Sequence, residues 1–294
     1  MTDAVILLAK PPGLSSFSAL AEVKRRLATR RVGHAGTLDP FAEGLLIALS
    51  GSYTRLAPWA SAMDKEYLAV FTFGRTTDTL DPEGRFTAEG SVPSRESLQE
   101  ALPAFTGTIS QVPPAFSAVH VGGRRAYEAA RSGQELTLAP RQVTVHGLSL
   151  LGFTGAEASL RIGCSRGTYV RSLARDIAAH LGTVAYVRRL ERTRIGGFRV
   201  EEAVSPGDFD PSRHLLDGAR FVGAASGLGS LVLREEWVSR AASGRPLVDG
   251  SFQETAGADG TFAAFTPAGE LLALARRDGG AWSYAAVFSR GSAA

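Results

Sequence analysis

The densest group of potentially reactive side chains lies in residues 32–46, VGHAGTLDPFAEGLL. Asp39 has a carboxylate whose reference pKa is about 3.9, so it is ionised at neutral pH and suits a nucleophile or a base. The same Asp39, followed by Pro40, is also typical of a helix N-cap with proline at the first helical position. His34 suits either a hydrogen bond within the loop or a contact to a ligand. On the local sequence both interpretations of Asp39 stay open.

A second group lies in residues 164–176, CSRGTYVRSLARD. Arg171 falls near the start of a predicted helix, where the helix dipole disfavours a cation. A partner should offset this cost: Asp39 is one candidate, and a surface ion pair or simple exposure is the alternative. Tyr67 and Tyr169 fall on predicted strands, where a tyrosine usually packs in the core or at an edge, although each could stack on an unstacked base.

Several other chemistries lack their signatures in this sequence. No GxxxxGK[ST] phosphate loop and no HExxH zinc motif occurs, which disfavours nucleotide hydrolysis and zinc chemistry. Cys164 is the only cysteine, so neither an intrachain disulfide nor a thiolate metal cluster can form. No run approaches the roughly 18 apolar residues of a membrane span, and the opening MTDAVILLAK lacks a basic leader and a cleavage site. We therefore expect a soluble, cytoplasmic protein.

The net charge of +3 conceals an asymmetry along the chain. Residues 1–199 carry 24 basic and 17 acidic side chains, a balance of +7, whereas residues 200–294 carry 8 and 12, a balance of −4. A partner rich in phosphate would bind the first part. Its basic clusters suit either phosphate binding, since a guanidinium fork matches phosphate, or a solvated helix face. The clusters are Lys24, Arg25, Arg26, Arg30 and Arg31, and then Arg161, Arg166, Arg171, Arg175, Arg188, Arg189, Arg192, Arg194 and Arg199.

Helices and strands are predicted in mixed order, without a regular βαβ alternation, so the fold class is α+β rather than a doubly wound parallel sheet. Residues 111–142 are rich in Pro, Gly and Arg and predict an excursion from the core, and the chain past residue 228 predicts a small β-rich module. Strands are predicted at 4–10, 65–74, 142–153 and 158–165. Helices are predicted at 17–27, with Ser15 or Ser16 as the cap, and at 40–50, 91–105 and 172–181.

Several of these segments together resemble the bacterial TruB family, the tRNA pseudouridine-55 synthases. A set of motifs in the right order is far more specific than any single motif. The similar segments are KPPGLSSF (10–17), GHAGTLDPFAEGLL (33–46), KEYLA (65–69), GRTTDTLDPEG (74–84), QVPPAFSA (111–118), GTYVRSLARDIAAHLG (167–182) and LERTRIGGF (190–198).

The resemblance implies a domain organisation and a set of catalytic residues. It implies a pseudouridine synthase catalytic domain at 1–227, with a mixed, mainly antiparallel sheet, flanking helices and an RNA-binding insertion near 111–142. A PUA-like domain would follow at 228–294. Asp39 matches the essential aspartate and Arg171 the arginine that pairs with it. Tyr67 matches the tyrosine that stacks on the flipped base and helps to remove its C5 proton.

Five further residues match substrate-binding positions or lie in the family's motifs. His34, Tyr169 and Leu190 match residues that contact the extruded uridine or line its pocket. Lys10 and Asp78 lie in motifs of the family, and we expect them to bind substrate as well. The chain departs from the family's usual residues at Phe116, His120 and Tyr186, which concerns the grip on RNA rather than the chemistry.

The activity implied by the resemblance is the isomerisation of uridine 55 in the T loop of tRNA to pseudouridine. This reaction exchanges neither atoms nor electrons with another molecule, so no cofactor and no metal is expected. The expected partner is the T-arm of tRNA, with no obligatory protein partner and a monomeric enzyme. Two alternatives stay open: a non-catalytic RNA-binding or RNA-folding protein on the same scaffold, and a hydrolase that uses Asp39 with a metal or a second acid.

Overall fold

The computed structural model describes residues 2–116 and 138–288, together with the backbone of residues 120–121 and 124–125. The larger part of the predicted insertion, including the side chain of His120, lies outside the described residues. The strands are β1 Ala4–Lys10, β2 Val32–Ala35, β3 Glu43–Ser50, β4 Lys65–Phe73, β5 Arg75–Thr77, β6 Phe86–Glu89, β7 Gly107–Gln111, β8 His120–Val121, β9 Arg124–Arg125, β10 Arg141–Thr154, β11 Glu157–Cys164, β12 Ala185–Ile195, β13 Phe198–Arg199, β14 Leu228–Val232, β15 Gly260–Phe265, β16 Leu271–Asp278 and β17 Ala281–Val287.

The described helices are short, and no helix in these parts of the chain is both long and apolar enough to span a membrane. The Ser94 side chain accepts a hydrogen bond from the N–H of Ser97 and caps a helix that begins at Arg95, within the helix predicted at 91–105. Ser15 likewise accepts from the N–H of Ser18 and begins a short turn that leads into the first helix. The α-helices are α1 Ala21–Arg26, α2 Ala57–Ala62, α3 Arg95–Ala101, α4 Val170–His180, α5 Gly218–Ala224 and α6 Glu235–Ala242.

The segment after Asp39 leads into a strand, so the predicted helix at residues 40–50 is wrong, and the N-cap interpretation of Asp39 is wrong with it. β3 pairs antiparallel with β2, with Val32 opposite Ser50. Residues 44–50 are all buried, and a short apolar run buried on both faces favours a central strand as readily as a helix. Gly44 has a φ of 104°, which interrupts any helix here.

Packing divides the chain into two compact units. The second unit comprises Asp39–Gly44 and Asp64–Arg194. In its sheet the strand order is β12-β4-β11-β10-β7, and β11 pairs antiparallel with both β4 and β10. The start of β3 pairs parallel with β12, with Arg192 opposite Gly44. The sheet is therefore mixed and mainly antiparallel, which confirms the α+β fold class.

The first unit comprises Met1–Leu38, Leu45–Met63 and Ile195–Ala294. Its C-terminal part contains the sheet β14-β15-β16-β17, which confirms the predicted β-rich module. Side chains of this module share one core cluster with the first strands, as Leu7, Phe221 and Leu274 illustrate. Because this grouping by packing is not a division along the chain, the domain boundary at residues 227/228 stays a prediction.

Candidate active site

Asp39 and Arg171 form an ion pair in the second unit. Oδ2 of Asp39 lies 2.8 Å from Nε of Arg171. The Nε–H bond is not directed at this oxygen, so the contact lacks hydrogen-bond geometry. The Arg171 side chain is 4% exposed, whereas that of Asp39 is 34% exposed. A carboxylate that a solute can reach therefore has a buried cation directly behind it.

The other edge of the Arg171 guanidinium is held by three more groups. Nη1 donates to the carbonyl oxygen of Thr79 at 2.8 Å, and Nη2 donates to that of Phe116 at 2.9 Å. Nη1 also lies 3.2 Å from Oδ2 of Asp81. These contacts use the planar fork that distinguishes arginine from lysine. Since Phe116 contributes its backbone, the departure from the family's usual residue there does not alter this contact.

Asp81 is the acidic residue that sequence reasoning missed. Its Oδ1 accepts hydrogen bonds from the Thr79 hydroxyl at 2.5 Å and from the N–H of Glu83 at 3.0 Å, while Oδ2 faces Arg171. Asp78 instead accepts from the N–H of Arg85 at 2.9 Å and closes the same turn. A signal was available: the tetrapeptide TLDP occurs at 37–40 and again at 79–82, and both of its aspartates contact one arginine.

The first turn of α4 fixes the position of Arg171. Tyr169 is the residue at its N-cap, so the prediction that Tyr169 lies on a strand is wrong. The buried amide of Gln111 accepts from the Tyr169 N–H at 2.8 Å and donates to the Tyr169 carbonyl at 3.2 Å. The Ser172 hydroxyl donates to the carbonyl of Val112 at 2.8 Å. Gln111, at the end of β7, thus gives a partner to the Tyr169 N–H, a helix-terminal donor that has none within the helix.

Tyr67 lies on β4, as predicted, and is almost fully buried. Burial raises the pKa of the Tyr67 hydroxyl, and the negative charge of Asp39 adds to this rise. The charge of Arg192 and a hydrogen bond from Arg192 oppose it. Asp39 is therefore near enough to act on Tyr67 electrostatically. The second unit brings together Asp39, Arg171 and Tyr67, the three residues predicted to be catalytic.

The remaining predicted residues lie in both units. Leu190 is a buried residue of β12 in the second unit. His34 belongs to the first unit, on β2 opposite Ala48. Lys10, buried at the end of β1, donates from Nζ to the carbonyls of Pro11 at 3.0 Å and Leu14 at 2.6 Å. Lys10 thereby stabilises the KPPGL turn of the first unit.

The residue before Asp39 is also fixed. The Ser16 hydroxyl accepts from the N–H of Leu38 at 2.8 Å and donates to its carbonyl at 3.0 Å. Leu38 and Ser16 are both buried. The KPPGLSSF segment therefore holds the backbone that leads into Asp39.

Within the described parts of the chain, no group of three or more His, Cys, Asp or Glu side chains is arranged to hold a metal ion. What the site offers is one accessible carboxylate, a buried guanidinium and a buried phenol. These groups can attack or deprotonate a bound molecule, stabilise the resulting charge and contact an aromatic ring.

Comparison with known proteins bears on both halves of the chain. The model of the N-terminal domain of the TruB family pseudouridylate synthases matches residues 24–170, and that of the C-terminal domain of tRNA pseudouridine synthase II matches residues 233–289. The chain is 45% identical to a tRNA pseudouridine synthase B of Borreliella burgdorferi (strain ZS7), over 69% of this chain and 73% of that protein. The chain is also 36% identical to the tRNA pseudouridine synthase B of Thermobifida fusca (strain YX), over 98% of this chain and 99% of that protein.

Solved structures with a similar fold include complexes that contain Cbf5. A Cbf5–Nop10–Gar1 complex superposes with a TM-score of 0.76 and 25% identity, over 97% of this chain and 84% of that chain. An H/ACA RNP bound to a substrate RNA containing 2′-deoxyuridine superposes with a TM-score of 0.75 and 24% identity, over 98% of this chain and 86% of that chain. The fold and the relatives together define a pseudouridine synthase. The chain belongs to the TruB family of pseudouridylate synthases, which confirms the predicted family.

Proposed function

We propose that this chain isomerises uridine 55 in the T loop of tRNA to pseudouridine. The named relatives act on tRNA, and the family's reaction is pseudouridylation. The observation that carries the proposal is the ion pair of an accessible Asp39 with a buried Arg171. A carboxylate in this setting stays ionised, since an adjacent guanidinium favours its charged form.

The reaction breaks the N1–C1′ bond of the nucleotide, turns the uracil and joins C5 to C1′. A base inside a folded loop is out of reach, so it must be flipped into the site at a cost of a few kcal/mol. Asp39 then either attacks C1′ or removes the 2′ proton to give a glycal. Both routes need the same ionised oxygen.

Arg171 aims Asp39 and stabilises its charge throughout. Asp81 and the carbonyls of Thr79 and Phe116 hold the guanidinium in place, so the positive charge is positioned before substrate binds. Tyr67 stacks on the flipped uracil and takes part in removal of the C5 proton. Leu190, Tyr169 and His34 contact the extruded nucleotide, and Lys10 and Asp78 support the binding surface.

The basic segments supply the contacts to phosphate. In the first cluster Arg25 and Arg26 both pair with Glu22, which compensates part of the positive charge that this cluster presents to a phosphate. In the second, Arg189 pairs with Glu43. Arg171 and Arg192 are buried, so we place the main grip on RNA in the exposed arginines of the two clusters and in the insertion near residues 111–142. The C-terminal PUA-like domain assists, and the enzyme acts as a cytoplasmic monomer that needs no cofactor.

A synthetic T-arm RNA hairpin tests the function and the position together. After incubation with the purified full chain and no additives, mass spectrometry of nuclease fragments should locate one pseudouridine at the position of uridine 55. A matched hairpin with cytidine at that position should stay unmodified. Modification elsewhere would contradict the position, and binding without any modification would favour the non-catalytic RNA-binding alternative.

A further inference from the structure

Arg192 is one of the largest fully buried side chains of the described residues, at 1% exposure. It lies on β12, where the parallel pairing places it opposite Gly44. A Cβ at Gly44 would lie 2.4 Å from the Arg192 carbonyl oxygen, so glycine is required for this close approach. Burying a guanidinium costs free energy that only specific contacts offset. The contacts of Arg192 therefore indicate what it does.

One of these contacts is to Tyr67. β12 lies beside β4 in the sheet of the second unit, and the Thr193 hydroxyl of β12 lies 3.0 Å from Oε1 of Glu66 on β4, so the neighbouring residues Arg192 and Tyr67 lie opposite each other. The Arg192 guanidinium donates a hydrogen bond to the Tyr67 hydroxyl. A phenol oxygen that accepts from a cation is fixed in place, and negative charge on that oxygen is stabilised. Arg192 thus acts on the atom of Tyr67 that would take part in proton transfer.

The charged and titratable groups around Tyr67 come from every neighbouring element. β11 contributes Cys164, whose pKa burial raises to about 11, so the thiol is neutral at physiological pH. Lys65, on the same strand as Tyr67, has a pKa lowered to about 8 by burial and by the charge of Arg192. Asp39 contributes negative charge, backed by Arg171 from α4. Arg192 is the group in this set that donates a hydrogen bond to the hydroxyl.

We propose that Arg192 is the positioning residue of Tyr67, which fixes the phenol oxygen and stabilises negative charge on it while the C5 proton is removed. This inference rests on the proposed function. In that step the Tyr67 oxygen takes the proton from C5 as its own hydroxyl proton passes to water, and the electron pair of the C5–H bond returns to the uracil ring, so the neutral phenol is regenerated. Arg192 touches neither the base nor the sugar in this account.

The test compares Arg192→Met, which keeps bulk but loses the charge and the donors, with Arg192→Lys, which keeps the charge. Arg95→Met, at an exposed arginine on α3, controls for loss of one positive charge. Tyrosine labelled with ¹³C at the phenolic carbon reports Tyr67 by NMR, with Tyr67→Phe to assign its signal. We expect the Tyr67 titration to move upward by about one to two pH units in Arg192→Met, because a charge-assisted hydrogen bond is lost. Arg192→Lys should shift it less, and Arg95→Met should not shift it.

Turnover gives the second readout. A shift of that size predicts a fall of roughly 10- to 100-fold in kcat for Arg192→Met, with KM for the hairpin unchanged and partial recovery in Arg192→Lys. If Arg192→Met fails to fold, the Lys variant still tests the shift. An unmoved Tyr67 signal, or a loss confined to KM, would overturn the proposal. A wild-type chain that makes no pseudouridine would refute the function instead, while the NMR titration would still decide the role of Arg192.

Discussion

The two carboxylates on Arg171 differ in burial, and this difference predicts different behaviour for the same chemical change. Asp81 is 5% exposed and Asp39 is 34% exposed. Removing Asp81 breaks a pair that is buried on both sides, which costs about 3–5 kcal/mol, whereas the pair with the partly exposed Asp39 is screened by solvent and contributes about 0–1 kcal/mol. At about 2–4 °C per kcal/mol for a protein of this size, Asp81→Asn should lower the melting temperature by roughly 6–20 °C. Asp39→Asn should lower it by at most about 4 °C.

The variant that loses the most activity should not be the one that loses the most stability. Asp39→Asn removes the reacting oxygen, so it should be inactive although folded. Asp81→Asn leaves Asp39 in place but loosens the guanidinium that aims it, so it should retain slow turnover at temperatures where it is folded. Asp278→Asn, at a carboxylate that is 79% exposed in the first unit, is the matched control and should behave as wild type in both assays.

Circular dichroism during thermal unfolding measures the melting temperature of each variant. Single-turnover pseudouridine formation on the same preparations measures its activity. The prediction is refuted if Asp81→Asn has the melting temperature of the wild type, or if the melting temperature of Asp39→Asn falls as far as that of Asp81→Asn. Either result would mean that burial does not decide which carboxylate supports the fold.

Three further perturbations have defined outcomes. Arg171→Lys should reduce kcat at least 100-fold while the hairpin still binds, because one ammonium group cannot contact two carboxylates and two carbonyls at once. Turnover equal to that of wild type would contradict the role of the planar guanidinium. Gly44→Ala should cost about 1–3 kcal/mol from backbone strain, plus a clash with the Arg192 carbonyl, measured by urea unfolding against Gly152→Ala, where nothing lies nearby. The pKa of Lys65, about 8 when folded, lies below its unfolded value. The unfolded state therefore binds more protons above that pKa, and wild-type stability should rise from about pH 7.5 to about pH 9.5 relative to Lys65→Met. A constant difference between the two would contradict the burial of a charged Lys65.

The chemistry of the site was more predictable than the geometry that supports it. Asp39 and Arg171 could be picked out as a reactive carboxylate and a cation near a helix start that requires a partner. Their proximity depends on a loop and a helix 132 residues apart in the chain, which no local pattern reports. The family resemblance supplied that link.

The errors have physical causes. Residues 45–49 form a continuous apolar run, and such a run fits a strand buried on both faces as well as a helix. The pairing of β3 with β2 and β12 decides between them, and this pairing is non-local. The sequence alone does not distinguish Asp78 from Asp81, because both are aspartates of one turn. Only the fold shows that the Asp78 carboxylate accepts from the backbone of Arg85 while the Asp81 carboxylate reaches Arg171.

Buried basic residues were the least predictable feature. Arg192 is one of nine arginines in a cluster that the sequence assigns either to phosphate or to solvent. Strand alternation alone does not place it in the interior, because its neighbours on β12 include exposed arginines and buried aliphatic residues in irregular order. The β12–β4 pairing, a tertiary feature, brings it to Tyr67.

The central claim is that the accessible oxygen of Asp39 carries out the chemistry on a flipped uridine. Release of tritium from the C5 position of uridine-labelled tRNA, measured in one turnover for wild type and Asp39→Asn at saturating enzyme, tests it directly. Wild type should release one equivalent and the variant none, with equal binding of the tRNA. Release at the wild-type rate by the variant would contradict the account.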